Sequence, residues 1–99
     1  MINLKQIEGF DWDSGNERKS EEKHSVNRFE AEQVFFNQPL LVLVDTEHSQ
    51  NEDRYHALGK TNDVRLLHIT FTLRATGKLI RVISARDMHR KERVIYEQH

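Results

Sequence analysis

The sequence predicts an α+β domain in which a short strand and two helices precede a four-stranded antiparallel meander, and a last helix closes the chain. Three observations carry that prediction. Apolar segments at 54–58, 66–73 and 79–85 follow one another across short separators rich in Gly and Asn, as hairpin strands do. The middle segment alternates with a period of two: Leu67, Ile69, Phe71 and Leu73 share one face, and Leu66, His68, Thr70, Thr72 and Arg74 the other. Asn27 is followed three residues later by Glu30, a capping-box pattern that opens a helix.

Taken in order, residues 7–12 place Phe10 and Trp12 two apart and read as a short first strand with one buried side. Residues 16–24 are helix-permissive but carry almost no apolar stripe, which predicts a solvent-facing helix. After Asn27 an apolar face of Phe29, Ala31, Val34 and Phe35 docks a second helix on the core. Asn37-Gln38-Pro39 ends it, because a proline disfavours helical backbone in the residue before it. Residues 40–44 then read as a buried strand and 45–53 as a polar loop. The three hairpin segments follow, with the second face of the middle one left for solvent or ligand. Asp87 is placed to cap a final helix over 88–97, with Val94, Ile95 and Tyr96 as its docking side.

A chain of 99 residues and 11.8 kDa supports one domain, residues 1–99, with one core. Hydrophobic residues at 36% against 31% charged are clustered enough to exclude global disorder. With no Cys there is neither a disulfide scaffold nor a thiolate nucleophile, which fits a soluble cytoplasmic protein. The longest apolar run, at 40–44, is far short of a membrane span. Six His are dispersed without the spacing of a helical metal motif, so no metal and no other cofactor is expected.

A formal net charge of −1 argues at first against a nucleic-acid partner. Its distribution argues otherwise. Residues 1–64 hold seven Lys or Arg against thirteen Asp or Glu, and residues 65–99 hold eight against three, so an acidic −6 part is followed by a basic +5 part. The basic cluster is Arg65, Arg74, Lys78, Arg81, Arg86, Arg90, Lys91 and Arg93. Charges are screened over about 8 Å in cells, so a polyanion feels such a cluster rather than the total. Arg90, Lys91 and Arg93 also suit an ordinary solvated helix face. Arg74 and Arg81 differ, because a strand flanked by apolar neighbours fixes a guanidinium on the sheet, where it can bind phosphate bidentately.

Phe10-Asp11-Trp12-Asp13, Lys23-His24-Ser25-Val26 leading into Phe29-Glu30-Ala31 and Val34-Phe35, Glu52-Asp53-Arg54-Tyr55 with Gly59, and Ile80-Arg81-Val82-Ile83-Ser84-Ala85-Arg86 with Arg90, Glu92 and Tyr96 form an ordered set. That set resembles the BrnT toxin family. The resemblance implies a RelE-like fold and a ribonuclease toxin of a type II toxin–antitoxin system that arrests translation. It also implies a BrnA-like antitoxin with a ribbon-helix-helix region, which carries the toxin to operator DNA only indirectly, in a toxin–antitoxin heterotetramer. Ser25 stands where the family usually has Gly, and Asn16 stands near its usual early Lys. These departures keep a second reading in view, a catalytically inert subunit that binds antitoxin and co-represses.

Cutting RNA without a metal uses the neighbouring 2′-hydroxyl as nucleophile. The enzyme must accept its proton, stabilise a charged phosphorane and protonate the leaving 5′-oxygen. Arg54, Arg81 and Arg86 are the candidates for charge stabilisation, and His24 for proton transfer. Lys23, Arg74, Lys78, His68 and Arg90 are the candidates for binding RNA. Arg81 and Arg86 are five apart, hence on opposite faces of an ideal strand, and converge only if the strand twists or ends before Arg86. The competing reading of Arg86 is a structural pair with Glu52 or Asp53, and that of His68 is burial beneath a helix.

Overall fold

The computed structural model describes residues 3–13, 15, 18, 21 and 23–99. A short 3-10 turn at Leu4–Gln6 leads to β1 (Gly9–Phe10), and helix α1 spans Arg28–Val34. Strands β2 (Leu41–Asp45), β3 (Arg54–Lys60), β4 (Leu66–Arg74) and β5 (Leu79–Asp87) follow, and helix α2 (Arg90–Glu97) ends the chain. The solvent-facing helix expected at 16–24 falls largely outside the described residues.

The five strands form one sheet in the order β1-β5-β4-β3-β2. β2 to β5 make the expected antiparallel meander, and β1 joins its far edge parallel to β5. The first strand is thus shorter than the span 7–12, and the sheet is mixed. Gly59, expected in a separator, lies inside β3. A Cβ built there would come within 2.6 Å of Val34 Cγ1, so the absent side chain is what lets α1 lie on the sheet. Gly59→Ala is therefore expected to lower stability by about 2 kcal/mol through overpacking, read from urea unfolding.

Helix α1 begins as its sequence predicts: Asn27 Oδ1 accepts the Glu30 N–H at 2.9 Å and Glu30 Oε1 accepts the Asn27 N–H at 3.2 Å. Ala31 and Val34 are buried against Ala57, Leu67, Ile69, Phe71, Ile80, Val82 and Ala85, the main core. The Phe71 ring is met edge-on by Phe35 at 5.1 Å and stacked by Tyr55 at 5.4 Å. Phe29 does not belong to this face. It is 60% exposed, with the Arg28 guanidinium 4.9 Å from its ring centre.

The opposite face of the sheet is not left wholly to solvent, as the alternation in β4 had suggested. Helix α2 covers one end of it, where Leu58, Met88 and Tyr96 form a second core with Leu41 and Leu66 alongside. Its docking side is therefore Glu92 and Tyr96, four apart, with Met88 packed beside them just before the helix, while Val94 and Ile95 remain about half exposed. Tyr96 donates its hydroxyl to Pro39 O at 2.7 Å, tying the helix to the start of β2. Asp87 is not its cap. β5 runs on through Asp87, and the helix starts after His89, whose N–H is accepted by Glu92 Oε1 at 2.8 Å.

Candidate functional site

That second face presents three cross-strand rows, the first of them beneath α2. The register aligns Leu41, Leu58, His68 and Arg86 in one row, then Leu43, His56, Thr70 and Ser84, then Asp45, Arg54, Thr72 and Arg81. β4 and β5 slip between Thr70–Ser84 and Phe71–Val82, leaving Ile83 as an extra residue. This bulge resets the alternation of β5. Arg81 and Arg86 consequently project from the same face, about 13 Å apart along the strand direction. Neither a strand end nor twist is needed.

A chain of polar and ring contacts crosses the rows. Asp45 Oδ2 receives His48 Nδ1 at 2.9 Å and His56 Nε2 at 3.0 Å. His56 Nδ1 lies 3.1 Å from Thr70 Oγ1, and the His56 and His68 rings are 4.8 Å apart. His68 Nε2 lies 3.8 Å from Glu92 Oε2, and Glu92 takes both ends of the Arg86 guanidinium at 2.8 and 2.9 Å. Asp45, at hydrogen-bond distance from His56 Nε2, fixes that ring and selects its tautomer.

The environments set the protonation of this chain. Burial would raise the Asp45 carboxyl, but hydrogen bonds from the His48 ring and backbone and the nearby His48 and His56 hold it below the ordinary range. Burial likewise opposes ionisation of Glu92. The Arg86 hydrogen bonds, the His89 N–H and the charges of His68 and Arg86 outweigh it and bring Glu92 to about 2. His68 is pushed down to about 4, first by burial and then by the Arg86 charge, against the pull of Glu92. Its Nδ1 is buried with no hydrogen-bond partner.

Ion pairs take up half of the basic cluster that the charge split suggested, four of its eight residues. Arg74 pairs with Glu52, and Arg81 with Asp11 at 3.3 Å and with Asp13. Arg65 grips Asp87 at 2.7 Å and Glu30 at 3.0 Å and also donates to the His24 and Ser25 carbonyls. Acids of the first part of the chain thus neutralise cations of the second. Arg86 pairs with Glu92, not with Glu52 or Asp53. Among the described residues the Arg54 guanidinium has no hydrogen-bond or ion-pair partner, although it belongs to the acidic part of the sequence.

Arg54 opens instead on a polar cleft of about 280 Å³ lined by Glu47, His48, Gln50, Asn51 and Glu52. Arg54, Arg81 and Arg86 therefore share one face, with Arg74 paired at its edge and Lys78 exposed in the β4–β5 turn. His68 is 9% exposed, packed beside Glu92 of α2, so it is the covered alternative that holds. Arg90 is exposed on α2. Lys23 is exposed and His24 half-buried at the Arg65–Asp87 cluster, and Asp87 faces the other side of β5 from Arg86. Sequence reasoning missed Asp45, His56, Thr70 and Glu92. Counting hairpin register from β2 and β3 places Asp45 beside Arg54, the one signal that pointed to them.

A family model described as "Ribonuclease toxin, BrnT, of type II toxin-antitoxin system" matches residues 12–92. The chain belongs to the BrnT toxin family. All of the polar chain from Asp45 to Glu92 lies inside the matched segment. BrnT toxins are ribonucleases of type II systems, so a protein antitoxin is the partner that membership implies. Comparison with curated proteins brings no match. Among the described residues no helix is long and apolar enough to cross a membrane.

Ser25 occupies a turn whose backbone would suit a glycine. Its φ is 55°, in the left-handed region that costs an L side chain about 1 kcal/mol or more. Arg65 binds the Ser25 carbonyl and so holds the strained turn in place. Ser25→Gly is expected to stabilise the protein by up to about 1 kcal/mol, seen as a melting temperature higher by several degrees.

Proposed function

We propose that this chain is a metal-independent endoribonuclease toxin with a RelE-like fold, neutralised by a BrnA-like ribbon-helix-helix antitoxin in a heterotetramer. The observation that carries the reading is the convergence of Arg54, Arg81 and Arg86 on one face around His56, which Asp45 orients. In this reading His56 is the proton carrier in place of His24, which lies at the Arg65–Asp87 cluster. The ribose 2′-hydroxyl takes the place of Thr70 at His56 Nδ1 and gives up its proton there. O2′ then bonds to phosphorus, the bond to O5′ breaks, and the leaving oxygen takes a proton, giving a cyclic phosphate and a 5′-hydroxyl. Arg54 and Arg81 stabilise the phosphorane, and Arg86 fixes Glu92 beneath the histidine pair. Arg74, Lys78, Arg90 and Lys23 hold the flanking RNA, and His68 backs His56.

Expression without antitoxin is expected to arrest bacterial growth, and purified protein to cleave RNA in excess chelator. Normal growth together with intact RNA overturns the enzyme reading. That outcome favours the inert, co-repressing subunit, for which the pairing of Arg81 with two aspartates and of Arg86 with Glu92 is the supporting observation.

A further inference from the structure

Beside the histidine pair the sheet opens into a second cleft, of about 490 Å³, between β2, β3 and α2. Leu41, Leu43, Leu58 and Ile95 form its walls, and His56, His68 and Glu92 stand at its polar end. Apolar walls with a few fixed polar groups are the usual make-up of a site for a planar heterocycle. His68, which lines this end, also keeps a buried Nδ1 without a hydrogen-bond partner. Another apolar pocket, between Ile7, Phe10, Phe36 and Ile80, is smaller, at about 190 Å³, and the only titratable group that lines it is Glu8.

The two clefts are coupled by one carboxylate. His48 lines the polar cleft with Arg54, His56 lines the apolar one, and Asp45 binds both rings. From Arg54 to Leu58 the strand runs about 13 Å with His56 midway, so a cation, an imidazole and an apolar side chain follow one another along one face. We propose that the apolar cleft is a nucleobase subsite, holding the base of an RNA nucleotide whose phosphate sits at Arg54 and whose ribose lies over His56. The inference rests on the ribonuclease reading for its substrate class. It adds that Leu43 and Ile95 select the base next to the cut.

The test titrates the full chain with each of the four nucleoside 3′-monophosphates, which hold no bond to cleave, and with inorganic phosphate alone. The Ile95 methyl and the His56 and His68 ring protons are followed by NMR. One or two bases are expected to shift Ile95 and His68 and to bind more tightly than the rest, while inorganic phosphate leaves Ile95 unmoved. Leu43 is 62% and Ile95 50% exposed, so Leu43→Ser and Ile95→Ser spare the core. Each should weaken the preferred nucleotide about tenfold, the size of one lost base contact. If all four nucleotides behave as phosphate does, or the cleft signals answer only to bound antitoxin, the base subsite is wrong. If nucleotides bind as expected but RNA stays intact in chelator, the ribonuclease reading fails and the subsite stands. If RNA is cut while Ile95 never shifts, the subsite alone fails.

Discussion

Arg54→Ala is expected to slow RNA cleavage by about 10²–10³-fold, the usual loss when one fixed charge stabiliser is removed from a reacting centre. Growth arrest should disappear with it. Fold stability should stay essentially unchanged, because among the described residues the guanidinium makes no ion pair or hydrogen bond. The Arg54 backbone N–H donates to Ser49 Oγ at 3.0 Å, a bond that survives the substitution. Arg54→Lys keeps a charge but not a planar fork, and should recover only part of the rate. Arg81→Ala provides the contrast. That side chain anchors the segment around β1 through Asp11 and Asp13, so its loss should lower stability as well as activity. Single-turnover cleavage and urea unfolding of the three variants separate the two kinds of arginine. A parent-like rate in Arg54→Ala would move the reacting centre elsewhere on the sheet.

The contrast between these arginines also marks where the sequence stops being readable. Local signals carried well: the Asn27–Glu30 box, the proline after α1 and the period-two pattern of β4 each act within a few residues, and each produced its element. The bulge at Ile83 has no such mark, since residues 79–87 contain neither Gly nor Pro, and it alone decides that Arg81 and Arg86 share a face. The charge split was a sound count with a misleading consequence. Arg65, Arg74 and Arg81 meet acids 22 to 70 residues away, so the folded surface inherits only part of the linear dipole. His56 escaped notice for the same reason: Asp45 comes from the preceding strand and Thr70 from the next, and only their register gives the ring a role. His68 was legible only as a choice between two faces, which a helix two elements downstream resolves by covering it.

That covered histidine sets the protein's response to mild acid. Folded His68 binds its proton only near pH 4, against 6.5 for an unhindered imidazole, so between those values the unfolded chain takes up a proton that the folded chain does not. Stability is therefore complete above about pH 6.5 and is lost as pH falls toward 4, by about 3 kcal/mol over the whole window, a large share of a small domain's stability. The groups around His68 enter with known signs: burial and the Arg86 and His56 charges oppose its protonation, and Glu92 favours it. Asp45, Asp87 and Glu92 are all held below their ordinary carboxylate values, so their contributions fade only at lower pH and leave the upper window to the imidazole. His68→Leu, which matches the neighbouring Leu58, should flatten the stability profile between pH 6.5 and 4.5 without steepening it below. Urea midpoints measured at half-unit pH steps decide the matter. A variant that keeps the parent's slope would place the responsible proton on another group, and His68 would then be charged in the folded protein.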